Sequence, residues 1–324
     1  MVRRTLLPFI IGALLVSGGF VVGSYGAFGG IVRSDAFSLE RRSGEETVLI
    51  NPLLDCVESQ VRFVELRPFS KTVEDLIESK VRDRKVTGAS VYFRDLNNGP
   101  WFGINEELVF SPASLLKVPL AMAYYQYREY EPGIMEEAMV WHQDPDSRLN
   151  DLVGLEEGGV YTVRALIERM LVNSDNAATE LLIRRLPPEQ LLRPYEDLGM
   201  ESPKRDGGKY QITARGYAKI LRVLFNASYL TPDDSREVLG LLTKSGFTDG
   251  LRAGVPASVL VANKYGERTG EEKSEMHDYG IVYYPGHPYL LCVMTHGRSV
   301  PEMTGVIREI SSLVYREVDA QFGH

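Results

Sequence analysis

The chain is poor in the residues that hold metals and in the positive charge that holds nucleic acid. Its 324 residues include five histidines, two cysteines and two tryptophans. The histidines and cysteines fall at no recognisable metal-ligand spacing, so neither a metal nor any other cofactor is predicted. Net charge is −8, which argues against nucleic acid as a partner. The 17 tyrosines form no base-stacking motif and read as sheet and rim packing. Internal repeats, low-complexity segments and an acidic tail are all missing. What remains is ordinary globular composition, 44% hydrophobic and 25% charged, enough for a core of normal size in one large domain or two small ones.

The longest stretch without charge lies at the start. Arg3 and Arg4 precede an apolar run from Leu6 to Val22, and no charge appears between Thr5 and Val32. That length suits a membrane-spanning helix or a long signal sequence. No lipobox cysteine is present and no clear small-x-small cleavage site, so residues 1–32 read as an uncleaved N-terminal anchor. A signal removed on export is the alternative. The paired arginines keep the N-terminus inside and place the remainder outside the cytoplasm. Residues 33–67 read as a tether, with a short strand expected over Thr47-Val48-Leu49-Ile50. Cys56 and Cys292 are an even pair that an oxidising compartment could bridge. Their apolar contexts favour free buried thiols over a bridge.

Residues 68–324 read as one globular domain. Leu76 and Ile77 mark the apolar side of a helix over 73–81. Ala89 to Phe93 is a strand, Asn97-Asn98-Gly99 a hairpin turn, and Trp101 to Ile104 the returning strand. A helix is expected from Leu115 to Tyr130. Further helices begin at Thr162 and Thr213, each threonine acting as N-cap, and another spans Asn176 to Leu186, stopped by Pro187-Pro188. Strands return at 259–264, 279–284 and 289–295, and a last helix covers 301–322. Strands at both ends with helices between them predict an α+β fold: an antiparallel sheet of about five strands built from both chain ends, flanked by helices, with an inserted all-α lobe.

Three short motifs carry the chemistry. Ser114-Leu115-Leu116-Lys117 is the sole Ser-x-x-Lys, Ser174-Asp175-Asn176 follows 60 positions later, and Lys264-Tyr265-Gly266 a further 90. At i and i+3 on a helix, Ser114 and Lys117 share a face. A lysine whose pKa is lowered by burial can take the serine proton and make a nucleophile without histidine. Alone, such a match is expected about once by chance in a chain this size; here it opens an apolar helix directly after a hairpin. Ser174-Asp175-Asn176 offers a proton-shuttling hydroxyl and a carbonyl-binding amide. Serine, aspartate and asparagine are also ordinary capping residues, and Asp175 suits that structural task. Lys264 ends an apolar strand whose edge could align a substrate through backbone hydrogen bonds. His277 reads as a hairpin residue making one ordinary hydrogen bond, and Trp141 and His142 as packing and surface.

With its flanking stretches Phe110 to Ser114, Met170 to Ala178 and Arg252 to Pro256, the chain resembles the penicillin-recognising serine hydrolases, in particular their class A β-lactamase-like branch. The resemblance covers about residues 68 to 324. It implies a β-lactamase/transpeptidase-like fold, with Ser114 as nucleophile, Lys117 as base and Ser174 as proton relay. It assigns substrate contacts to Lys264 and Asn176, and an oxyanion hole to the backbone N–H groups of Ser114 and Glu267. Two departures stand out. The third motif normally has a small hydroxyl residue, which binds the substrate carboxylate, where this chain has Tyr265 followed by Gly266; Arg268 is the candidate substitute. The Arg-x-x-Glu-x-x-Leu-Asn loop that class A enzymes use to activate the deacylating water is missing. Residues 186–211 are about a dozen short of it, and Glu196, Glu201 and Asp206 are the remaining candidates.

Three functions follow from this reading. The first is an exported serine hydrolase that forms an acyl-enzyme on a β-lactam or related amide, with slow deacylation. The second is a D-Ala-D-Ala-type carboxypeptidase or penicillin-binding protein acting on cell-wall peptide. The third is a non-catalytic envelope binding protein.

Overall fold

The computed structural model describes residues 49–51, 67–97, 99–143, 154–203, 210–271 and 273–323, all within one compact unit. The predicted anchor at 1–32 lies outside the described residues, as do Thr47, Val48, Cys56 and most of the tether.

The N-terminal elements are helix α1 (Ser70–Arg82), then the hairpin β1 (Gly88–Asp95) and β2 (Trp101–Ile104), then a short β3 (Val109–Phe110). A 3-10 turn (Ala113–Leu116) leads into α2 (Lys117–Tyr127). The middle of the chain holds a small hairpin, β4 (Ala138–Val140) and β5 (Val160–Thr162), then α3 (Val163–Val172), α4 (Asn176–Arg185) and α5 (Pro188–Asp197). Next come β6 (Ile212–Thr213), α6 (Ala214–Phe225) and α7 (Pro232–Thr243). Three long strands, β7 (Val261–Arg268), β8 (Ser274–Val282) and β9 (Tyr289–Gly297), precede the closing helix α8 (Val300–Phe322).

The main sheet has the order β2-β1-β9-β8-β7, every pair antiparallel. It is drawn from both ends of the domain, as predicted. Period-two alternation sends its side chains to two cores. Tyr92, Ala262, Tyr279, Ile281, Leu290, Cys292 and Met294 face the helical lobe. Val91, Phe93, Val261, Met276, Val282, Leu291 and Val293 face α1 and α8. Phe93 anchors the second core, its ring 5.1 Å from those of Phe69 and Phe102. α2 is the central helix of the lobe. Every residue from Lys117 to Tyr125 is buried, the pattern of a helix enclosed on all sides.

Several boundaries differ from expectation. The helix predicted from Leu115 to Tyr130 divides into the 3-10 turn and α2. Pro119 explains the division: it has no N–H to give the Leu115 carbonyl, and the Tyr217 hydroxyl takes that carbonyl instead. Ser114 therefore sits on the turn, not on the α-helix. β7 begins later than predicted and runs four residues past Lys264, so the third motif lies mid-strand. Its ladder continues from Gly266↔His277 to Arg268↔Glu275. β8 starts five residues earlier than expected, because Ser274 to Asp278 is a buried but largely polar run. Leu49 and Ile50 form no strand; Asn51 N–H binds the Phe225 carbonyl at 2.7 Å and Ile50 is fully buried. Cys292 is a free, buried thiol.

α5 and α7 are additional helices. Pro187-Pro188 stops α4 and also opens α5, since proline is well tolerated at the first helical position. Thr231 caps α7 by accepting from Asp234 N–H.

Candidate active site

Three segments meet at the exposed edge of β7. The first is the 3-10 turn that carries Ser114. Ala113 has φ +47°, a left-handed conformation costly for a residue with a Cβ. The turn is held from outside itself. Ser111 N–H donates to Glu275 Oε2 at 3.2 Å, and His277 Nε2 lies 2.9 Å from the Ser111 carbonyl. Burial pushes the His277 imidazole down to about 4, so it is neutral at pH 7 and its Nε2–H donates. The predicted hairpin histidine is thus a buried strand residue that braces the serine turn.

The second segment is β7. At Gly266 the strand is flush against the turn: a Cβ there would lie 2.7 Å from the Pro112 carbonyl and 3.4 Å from Ala113 Cβ. Glycine is required by this approach. Glu267 follows directly, so its backbone N–H and that of Ser114 belong to two segments in van der Waals contact. The Glu267 and Arg268 side chains are exposed.

The third segment joins α3 to α4. Ser174 has φ +56°, a second left-handed residue at a site position. Asp175 is the N-cap of α4, accepting from Ala178 N–H at 3.0 Å. Its other oxygen accepts from Arg169 Nε at 3.1 Å. The capping task anticipated for Asp175 is therefore observed, and it fixes the backbone that aims Ser174 and Asn176.

Two lysine amines converge on the Ser174 hydroxyl. Lys117 Nζ lies 3.1 Å from Ser174 Oγ and Lys264 Nζ 2.9 Å from it. Lys117 Nζ also donates to the Ser174 carbonyl at 2.5 Å and to Asn176 Oδ1 at 2.7 Å. Both lysines are buried, 4% and 1% exposed. Desolvation lowers Lys117 to about 8, against the opposing pull of the Asp175 carboxylate. Desolvation, then the charge of Lys117, holds Lys264 well below its usual range, with Asp278 opposing. Two cations cannot share so dry a pocket at low cost.

The hydrogen count fits a neutral Lys117. An –NH2 group has two N–H donors, which the Ser174 carbonyl and Asn176 take. Its lone pair is then free to accept the Ser174 hydroxyl proton. The expected Ser114–Lys117 hydrogen bond is not formed: the Ser114 hydroxyl, half-buried, has no hydrogen-bond partner among the described residues. Ser114, Lys117, Ser174, Asn176, Lys264 and Gly266 are nonetheless gathered into one site, and the Ser174 hydroxyl oxygen lies between the two amines.

Tyr265 adds a feature that its residue type alone did not disclose. Its ring stacks on Phe247 with centroids 4.5 Å apart and lies 4.4 Å from Lys264 Nζ. Burial raises the phenol above its usual range, so it stays protonated. Of the candidates for a water-activating carboxylate, Glu196 and Glu201 are exposed and bond to none of the site residues. Asp206 lies outside the described residues.

Comparison with known proteins agrees with this fold. A β-lactamase from Streptomyces lavendulae is 25% identical over 228 residues, 64% of this chain and 74% of that protein. A variant of PBP-A captured as an acyl-enzyme with penicillin G superposes with a TM-score of 0.68 at 22% identity, covering 80% of this chain and all of that one. A class A β-lactamase from Mycobacterium abscessus superposes with a TM-score of 0.67 at 23% identity, over 76% of this chain and 99% of that one. A family model for the β-lactamase enzyme family matches residues 68–318. That span takes in both halves of the sheet, the helical lobe and all three motifs, and the chain accordingly belongs to the β-lactamase enzyme family as a β-lactamase-like serine hydrolase.

Proposed function

We propose that this protein is an exported serine hydrolase that acylates itself at Ser114 on a β-lactam or related amide and releases the acyl group slowly. The observation that carries the acylation step is the Ser174 hydroxyl, held 3.1 Å and 2.9 Å from two lysine amines of lowered basicity. With Lys117 near 8, about a tenth of it is neutral at pH 7. Neutral Lys117 draws the proton from Ser174, and Ser174 in turn draws it from Ser114 once substrate has ordered that free hydroxyl. Ser114 Oγ then attacks the carbonyl carbon. The tetrahedral oxyanion is received by the backbone N–H groups of Ser114 and Glu267. As the C–N bond breaks, the proton returns through Ser174 to the leaving nitrogen.

Slow release follows from what surrounds the acyl group. Glu196 and Glu201 are exposed and bond to none of the site residues, so neither of these two candidates is placed to activate water. Export rests on the N-terminal Arg3-Arg4 pair and the uncharged run behind it, with a membrane anchor as the means. The same missing carboxylate favours a second reading, a penicillin-binding protein acting on D-Ala-D-Ala-type peptide ends. The fold similarity to PBP-A is in keeping with it.

Intact-mass spectrometry after mixing with benzylpenicillin tests both steps. The expected result is a covalent adduct on the native protein, none on Ser114→Ala, and decay over minutes to hours. No adduct, or an equal adduct on Ser114→Ala, would defeat the proposal. Fast steady-state turnover would defeat the slow-release part alone.

A further inference from the structure

Resting on the acyl-transfer reading above, we infer that Tyr265 determines specificity: its ring roofs Lys264, so the site favours acyl donors that bring no carboxylate to that corner. Lys264 Nζ has three donors when charged. One is given to Ser174 Oγ at 2.9 Å and one to the Tyr265 carbonyl at 3.1 Å. The third faces the Tyr265 ring, whose centroid is 4.4 Å away. The residue is 1% exposed. A cation in this state has no N–H to offer an incoming anion.

The roof is fastened: its ring stacks on Phe247 at 4.5 Å and 25°. A carboxylate seeking Lys264 must first part the stack. The half-buried ring instead presents a flat, uncharged surface beside the relay hydroxyl. A neutral amide or ester substituent packs on such a surface without losing the hydration that a carboxylate would lose there. Arg268, four residues further along β7, is exposed and screened by solvent, so it compensates weakly for the covered lysine.

Acylation of Ser114 by benzylpenicillin, which carries a free carboxylate, and by its methyl ester, which does not, separates the outcomes. In the native protein the ester is expected to react as fast as the acid or faster, whereas a charge-assisted contact would favour the acid by about tenfold or more. Tyr265→Thr, which removes the ring, is expected to raise the acid-to-ester ratio by about tenfold. Tyr265→Phe keeps the ring and should leave the ratio unchanged. An acid preference of about tenfold in the native protein would overturn the inference even without a stable Tyr265→Thr variant. Label on Ser114 with a ratio that Tyr265→Thr does not move overturns it alone. No label from either compound overturns the acyl-transfer reading and this inference together.

Discussion

Ser174 Oγ lies 2.9 Å from Lys264 Nζ, across 90 positions of sequence, and it reaches that place only because the Ser174 backbone is left-handed, with φ +56°. The hydroxyl and the backbone shape are separable. Ser174→Ala keeps a Cβ in the strained conformation and removes the relay, so acylation should slow by about 100-fold with little change in fold. Ser174→Gly removes the relay and relaxes the strain. It should be equally slow but more stable than Ser174→Ala by about 1 kcal/mol. Stopped-flow acylation and urea denaturation measure the two effects. Equal stability of the variants would show that the positive φ carries no strain.

The acylation rate should follow the neutral form of Lys117. Its folded-state pKa is lowered to about 8 by burial, so the rate is expected to rise about tenfold per pH unit below 8 and to level off above it. Linkage gives a matching effect on stability. Between about pH 8 and the unfolded lysine value near 10.4, the unfolded chain binds more protons at this position. The Lys117 contribution to stability therefore increases with pH through that window. A rate profile flat from pH 6 to 9 would mean that another group accepts the serine proton.

Gly266→Ala tests whether β7 positions the serine turn. Its new Cβ would fall 2.7 Å from the Pro112 carbonyl and 3.2 Å from Leu115 Cγ. The near atom is backbone, so strand or turn must shift. A stability loss of about 1–3 kcal/mol is expected, with acylation reduced beyond what partial unfolding explains. Thermal denaturation and labelling rate, measured together, check this. A variant of native stability and rate would show that the turn tolerates movement.

The motif residues were legible in the sequence because their chemistry depends on residue type. Ser114, Lys117, Ser174, Asn176 and Lys264 occur as side chains with the right protons, and the caps Thr162 and Thr213 could be identified for the same reason. The sheet was legible where strands alternate with apolar residues. It was not legible over Ser274 to Asp278, where burial falls on polar side chains. Pro187-Pro188 could be recognised as a stop, but proline also starts helices, and α5 was hidden by that double role. What the sequence withheld at the site was geometry. Nothing in the order of residues shows that Ala113 and Ser174 are left-handed, that the Lys117 amine turns to Asn176 instead of Ser114, or that the Tyr265 ring folds over Lys264.

Asp175 offers a way to move the pH profile without touching a reacting group. Its carboxylate is 7% exposed as a residue, caps α4, pairs with Arg169 and is the charge that holds the Lys117 pKa up against burial. Asparagine is as good an N-cap as aspartate, so Asp175→Asn should preserve α4 while removing the charge. Lys117 would then be opposed by burial alone, and its pKa should fall further below 8. The midpoint of the acylation profile is expected to move to lower pH, and the rate at pH 7 to rise if the site stays intact. Loss of the Arg169 pair is expected to lower stability by about 1–2 kcal/mol, measurable by denaturation. Asp175→Ala loses the cap as well and should cost about 1 kcal/mol more. A midpoint that stays at 8 in Asp175→Asn, with the fold intact, would mean that the Asp175 charge does not tune the base.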